Sequence, residues 1–239
     1  MEKKSNWKRN LCVFFGIIIL LFLAVVIYGV IVDFSQEDIL KKEIATLQQK
    51  DIDKDRYNTK IATKGDYALV EESIKSYLDE FAVAYQELME MLKSDEKLNS
   101  LLTAENYEND GPEFIESREY LEYYKKTFNE KLDKLKKYVE RDYIMKQITK
   151  KNLDSYYVDL YEDLMFGTIT DEEWNQLSVD LKQAGNNIDD AITSMYKVYD
   201  MLEDTQGSWY VQDNNIVFEE QKDVDAYNAL IQQIRNDRV

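Results

Sequence analysis

Apolar residues recur along most of this chain at steps of three and four, the pattern of helices that bury one face. Val70, Ile74, Tyr77, Phe81, Ala84, Leu88 and Leu92 form the first long stripe. A second passes through Leu121, Tyr124, Phe128, Leu132, Leu135 and Val139 towards Ile148. The phase changes near Asn152, where Leu153, Tyr157, Leu160, Tyr161 and Leu164 follow and a kink is expected. The cleanest heptad is Trp174, Leu177, Leu181, Ala184, Ile188, Ile192, Met195, Val198 and Leu202, and a shorter stripe, Val224, Tyr227, Leu230, Ile231 and Ile234, closes the chain. No single stripe is stable alone. Together they predict an elongated bundle of about four helices over residues 66–239. An extended coiled coil that dimerises through the same stripes is the rival architecture, and the Gly/Pro punctuation between stripes favours packing within one chain.

The helix ends are marked. Lys64-Gly65-Asp66 opens the first long stripe, and Leu98, Leu101 and Leu102 predict a short helix before Gly111-Pro112. Pro112 suits the first turn of the following helix. Phe166-Gly167 reads as a helix end with glycine in a left-handed cap. Thr170 and Glu173 form a capping box. Gly185, inside the heptad, predicts a close helix contact or a slight bend.

One stretch breaks the helical pattern. In "SWYVQDNNIVFEEQ" the β-prone runs Trp209-Tyr210-Val211 and Ile216-Val217-Phe218 flank residues that tolerate a left-handed backbone. This predicts a β-hairpin over residues 208–218 that turns the chain from the last long helix into the final one. Alone it is marginal, so one face must lie on the end of the bundle. Trp209, Tyr210, Phe218 and Tyr227 are therefore the candidate ligand or partner surface.

Leu11 to Val32 is a run of 22 residues without a charge. At 1.5 Å per residue it matches the roughly 30 Å hydrocarbon core of a bilayer. A cleaved signal peptide would have a shorter apolar region and a small-x-small exit, whereas this one leaves through Ile27-Tyr28-Gly29-Val30. The expectation is an uncleaved transmembrane helix over residues 11–32. Lys3, Lys4, Lys8 and Arg9 precede it and Asp33, Glu37 and Asp38 follow it. The tail, residues 1–10, is thus cytoplasmic and the rest of the chain extracytoplasmic, in a single-pass topology. Cys12 falls at the cytoplasmic edge of the span.

Residues 33–65 read as a polar juxtamembrane helix or linker. Ser35 and Asp38 resemble a helix cap, and Ile39, Leu40, Ile44 and Leu47 give a short stripe. Asp51, Asp53 and Asp55 alternate as in a calcium loop. Arg56 stands where that loop needs Gly and Ala62 where it needs Glu, which favours a solvated segment over a metal site.

Composition narrows the chemistry. The chain has no histidine and one cysteine, which removes Ser-His-Asp and Cys-His mechanisms, His- or Cys-built zinc sites and any internal disulfide. Its net charge of −17 disfavours nucleic acid and anionic lipid headgroups. The tail is basic, so the portion beyond the span is more acidic still. No catalytic, cofactor-binding or metal-ligating residue stands out.

"NIVFEEQKDVDAYNALI" resembles the tail of an uncharacterised family of enterobacterial envelope lipoproteins. The likeness rests on Phe218, then Tyr227-Asn228 and the apolar pair Leu230-Ile231. It implies an envelope-facing helical domain and supplies no activity to carry over. This chain departs from that family in having an apolar span where those proteins carry a lipidated cysteine.

The function expected from these features is a membrane-anchored extracytoplasmic binding or scaffolding protein of the bacterial cell envelope, non-enzymatic, with an envelope or membrane protein as partner. The alternative is a ligand sensor or carrier with a pocket at the hairpin-capped end. A hydrolase using paired carboxylates is the third reading, but no pair is distinguished among 47 acidic residues.

Overall fold

A computed structural model describes residues 36–47, 50–52, 54–57, 59–94, 96–167 and 170–237. The expected span at 11–32, the tail before it, Ser35 and Asp53 lie outside the described residues. Among the described residues no helix is long and apolar enough to cross a membrane.

The described chain is mainly helical, with one two-stranded antiparallel hairpin near the C-terminus. Its elements are α1 (Gln36–Leu47), α2 (Asp66–Ser94), α3 (Glu96–Ser100), α4 (Ala104–Asp110), α5 (Ile115–Tyr138), α6 (Arg141–Thr149), α7 (Ser155–Phe166), α8 (Asp171–Asp204), β1 (Trp209–Gln212), β2 (Asn215–Phe218) and α9 (Gln221–Asp237). Among the described residues they form two compact units, one built from residues 36–89 with Lys131–Leu181, the other from Glu90–Glu130 with residues 182–237.

The stripes of α2 and α8 become core, whereas of the closing stripe only Ile234 is fully buried. Every residue of the first stripe is buried along α2, from Val70 to Leu92. In α8, Leu177, Leu181, Ile188, Ile192, Met195, Val198 and Leu202 are buried, as is Gly185. The capping box before α8 is complete. Thr170 donates its N–H to Glu173 Oε2 at 2.9 Å, and the Glu173 N–H returns to Thr170 Oγ1 at 3.2 Å.

The second stripe is where the structure departs from expectation. It does not run on to Ile148 but breaks at Val139-Glu140, between α5 and α6. The reason lies in the phase. Val139 and the next core residue, Ile144, are five apart, which on a continuous helix would put them on different faces. The break returns Ile144 and Ile148 to full burial. It also frees carbonyls at the end of α5, and the buried Tyr77 hydroxyl donates to one of them, Tyr138 O, at 2.7 Å.

A full interruption replaces the kink near Asn152. Asn152 adopts φ 53, and Asp154 caps α7 by accepting the Tyr156 N–H at 3.0 Å. Gly167 ends α7 in a right-handed conformation, φ −58, not the left-handed cap expected. Pro112 sits in the turn before α5 and not within its first turn.

Candidate functional site

The hairpin forms as its turn residues require. Asp213 and Asn214 have φ 49 and 60, so both central positions are left-handed, the condition for a two-residue type I′ turn. The register pairs Trp209 with Phe218, Tyr210 with Val217, Val211 with Ile216 and Gln212 with Asn215. Side chains alternate across the ribbon, so Trp209, Val211, Ile216 and Phe218 share one face while Tyr210 and Val217 share the other.

The inner face meets a run of aromatic rings within the same unit. Trp209 donates its indole N–H to Leu202 O at 2.7 Å, in the last turn of α8, where carbonyls lack helical partners. Its ring stacks on Phe114 with centroids 6.5 Å apart. Phe114 is fully buried, lies 4.8 Å from Tyr199 in a stacked pair, and meets Tyr107 edge-on at 6.1 Å. Tyr107 reaches Tyr227 edge-on at 6.2 Å, with the two hydroxyls 3.1 Å apart. Tyr227 then packs against Phe218 at 5.4 Å. Burial pushes the phenols of Tyr107, Tyr199 and Tyr227 up, so they remain neutral hydrogen-bonding groups.

Of the four residues expected here, Trp209, Phe218 and Tyr227 are brought together. Tyr210 faces away and is 49% exposed. Sequence reasoning missed Phe114, the centre of the cluster. It sits just past Gly111-Pro112 with φ 53, a conformation rare for a bulky residue, and nothing in the local pattern marks it as core.

A polar constellation lies in the other unit, where the reading of 33–65 as a polar helix or linker left it unseen. Residues 50–52, 54–57 and 59–65 run as an irregular strap along α2. Ile52, Tyr57 and Thr63 of the strap are buried. Four polar residues of α2 hold its backbone. Glu71 accepts N–H groups from Ala62 at 3.0 Å and Thr63 at 2.8 Å, and the Thr63 hydroxyl at 2.7 Å. Lys75 donates to Lys60 O at 3.0 Å and pairs with Glu71 and with Glu43 of α1, each at 2.6 Å. Asp79 takes Arg56 through both carboxylate oxygens, at 2.9 and 2.5 Å, together with the Tyr57 N–H at 2.8 Å. Gln86 donates to Ile52 O at 2.5 Å.

Glu71 and Lys75 have 0 and 1% exposed side chains. Burial alone would raise the Glu71 carboxyl. The bonds from Lys75, Thr63 and the strap amides outweigh that and hold it below the ordinary 4.5. A carboxyl lowered by folding stabilises the fold above its unfolded pKa, and the contribution is lost as pH falls through the folded value. The fold should therefore weaken as pH drops below about 4.5, and Glu71→Gln should flatten that slope in urea titrations across the acid range.

Tyr57 is, with the Thr59 hydroxyl, an exception in the strap. Its hydroxyl is buried without a hydrogen-bond partner, and burial, with Asp55 and Asp51 nearby, pushes the phenol up to about 12. Removing an unsatisfied buried hydroxyl relieves a desolvation penalty, so Tyr57→Phe should be neutral or stabilise by about 1 kcal/mol. A loss of more than that in thermal unfolding would show that the hydroxyl finds a partner.

Asp51 and Asp55 are engaged locally. Asp55 accepts the Asp51 N–H at 2.8 Å, and Asp51 pairs with Lys54 at 2.9 Å. Among the described residues no cluster of three acidic, histidine or cysteine side chains is placed to hold a metal ion. Comparison of the chain with family models, curated proteins and solved structures finds no match in any of the three.

Proposed function

We propose that the chain is a single-pass membrane protein of the bacterial cell envelope. In this reading its helical extracytoplasmic part binds or scaffolds another envelope or membrane protein and catalyses nothing. The anchor is Leu11 to Val32, and the basic tail before it sets the orientation. The envelope setting agrees with the resemblance of the C-terminal stretch to envelope lipoproteins. The acidic charge argues against nucleic acid as partner.

The two-faced hairpin is the observation that carries the binding reading. Its inner face is spent on ring-to-ring packing around Phe114, which supports a protein-binding role over a small-molecule carrier at this end. Its outer face leaves Tyr210 about half exposed, beside Val217. Tyrosine there offers a large, stiff contact with few rotamers to immobilise.

The test has two arms. In spheroplasts, added protease should remove the chain beyond Val32 and spare the tail. A photo-crosslinking residue in place of Tyr210 should give a discrete adduct with one envelope protein, while the same residue at Val179, exposed on α8, should not. A protease-sensitive tail overturns the topology. No adduct at Tyr210 in folded, normally abundant protein overturns the binding surface.

A further inference from the structure

Three helix N-termini meet in the unit that contains the strap. Gln36 at the start of α1 accepts the Lys64 N–H at 2.7 Å, just ahead of α2. Tyr156 in the first turn of α7 donates its hydroxyl to Glu37. The Tyr156 hydroxyl lies 3.3 Å from that of Tyr67 in α2. Tyr67 also packs edge-on against Tyr157 at 5.1 Å, and Tyr156 against Tyr157 at 5.2 Å. The result is a trio of tyrosines at one pole of the unit. Tyr156 is 46% exposed and the other two are half-buried.

This pole differs from the rest of the chain in charge. The three stretches that carry these contacts are residues 36–41, 64–67 and 150–157. In them Lys41, Lys64, Lys150 and Lys151 stand against four carboxylates, and a fifth, Glu72, pairs with Lys151 at 2.8 Å, so the pole is close to neutral in a protein of net charge −17. A neutral, tyrosine-rich pole is poorly suited to repel a bilayer, and neutral amphipathic rings are the side chains that settle at headgroup level. The connection between Val32 and Gln36 is three residues, Asp33, Phe34 and Ser35, or four Cα steps. Fully extended it reaches about 14 Å.

We infer that the Tyr67–Tyr156–Tyr157 pole rests in the headgroup layer of the membrane that holds the chain. The inference stands on the anchored reading proposed above. The occupant is the zwitterionic lipid interface and not a protein. The rings lie among headgroups and the hydroxyls keep their bonds to one another and to Glu37. Docking at this pole fixes how the unit sits on its anchor, because α1, α2 and α7 all begin there.

The test uses the full chain in phosphatidylcholine vesicles with Cys12→Ser as background. Nitroxide labels are placed through Tyr156→Cys, Lys64→Cys or Val179→Cys, one at a time. Lys64 sits at the pole through its backbone bond to Gln36 but lies outside the ring cluster, so its label reports even if Tyr156→Cys disturbs the rings. Collisions with oxygen relative to a water-soluble nickel chelate should be several-fold higher at 156 and 64 than at 179, the contrast between an interfacial site and one in water. Equal ratios at all three positions, with the chain retained in the vesicles, overturn the inference and leave the anchor intact. A chain that floats free of the vesicles overturns the anchored reading and the docked pole together.

Discussion

Lys75→Met is expected to destabilise the strap-containing unit by about 3–5 kcal/mol, the cost of leaving buried charge without its partner. The ammonium of Lys75 is the common partner of Glu71, Glu43 and Lys60 O. Removing it strands the Glu71 carboxylate in a site with no exposed side-chain surface. Glu43 fares better, since its side chain is 27% exposed and can turn to water. The double variant Glu71→Gln with Lys75→Met should recover most of the loss. Its amide oxygen still accepts the strap N–H groups of Ala62 and Thr63, and no net charge remains buried. Urea unfolding of the three proteins, read at constant slope, gives the comparison. A single variant that loses less than about 1 kcal/mol would match a solvated surface pair, and the strap would then be held by its apolar anchors and by Asp79 and Gln86.

That network shows why part of the fold is legible in sequence and part is not. The stripes of α2 and α8, the Thr170–Glu173 box and the hairpin are local: periodicity, capping and turn chemistry act within a few residues of one another. Glu71, Lys75 and Asp79 also follow a local rule, spaced by four along α2. Such spacing reads as the salt-bridged outer face of a helix, which is its commonest meaning. Their burial depends on the strap lying over them. The signal available was weak: residues 50–63 carry Ile52, Tyr57 and Ile61 in a stretch too irregular for a helix yet too apolar for a free linker. The break at Val139-Glu140 was readable, because the five-residue step from Val139 to Ile144 conflicts with a continuous stripe. Many of the 18 tyrosines also have a role that composition hides. Tyr77, Tyr161 and Tyr199 fill core positions and donate to backbone carbonyls of Tyr138, Ile144 and Leu101 at 2.7, 3.1 and 3.0 Å. A phenol serves there because it packs as an aromatic and still satisfies a polar group.

Phe114→Ala should cost about 3–5 kcal/mol, the range for a fully buried aromatic ring deleted from a core. The ring touches Trp209, Tyr199 and Tyr107, so its loss opens the centre of the cluster on which the hairpin rests. Trp209→Ala and Phe218→Ala should cost less than Phe114→Ala, because both residues are only half-buried in the hairpin's inner face. The backbone supplies an independent check. Phe114 holds φ 53, where a Cβ is strained and glycine is not. Phe114→Gly should therefore be about 1 kcal/mol less damaging than Phe114→Ala, the reverse of the usual order for these two residues. Asn214→Gly, at φ 60 in the hairpin turn, should be close to neutral, since glycine suits a type I′ turn. Tyr210→Ala should change stability by no more than about 0.5 kcal/mol, because its ring lies on the exposed face. The order Phe114→Ala, then Trp209→Ala, then Tyr210→Ala in thermal unfolding follows from which rings are buried. If Tyr210→Ala proves as costly as Phe114→Ala, the outer face is packed against the fold, and Tyr210 is not available to a partner.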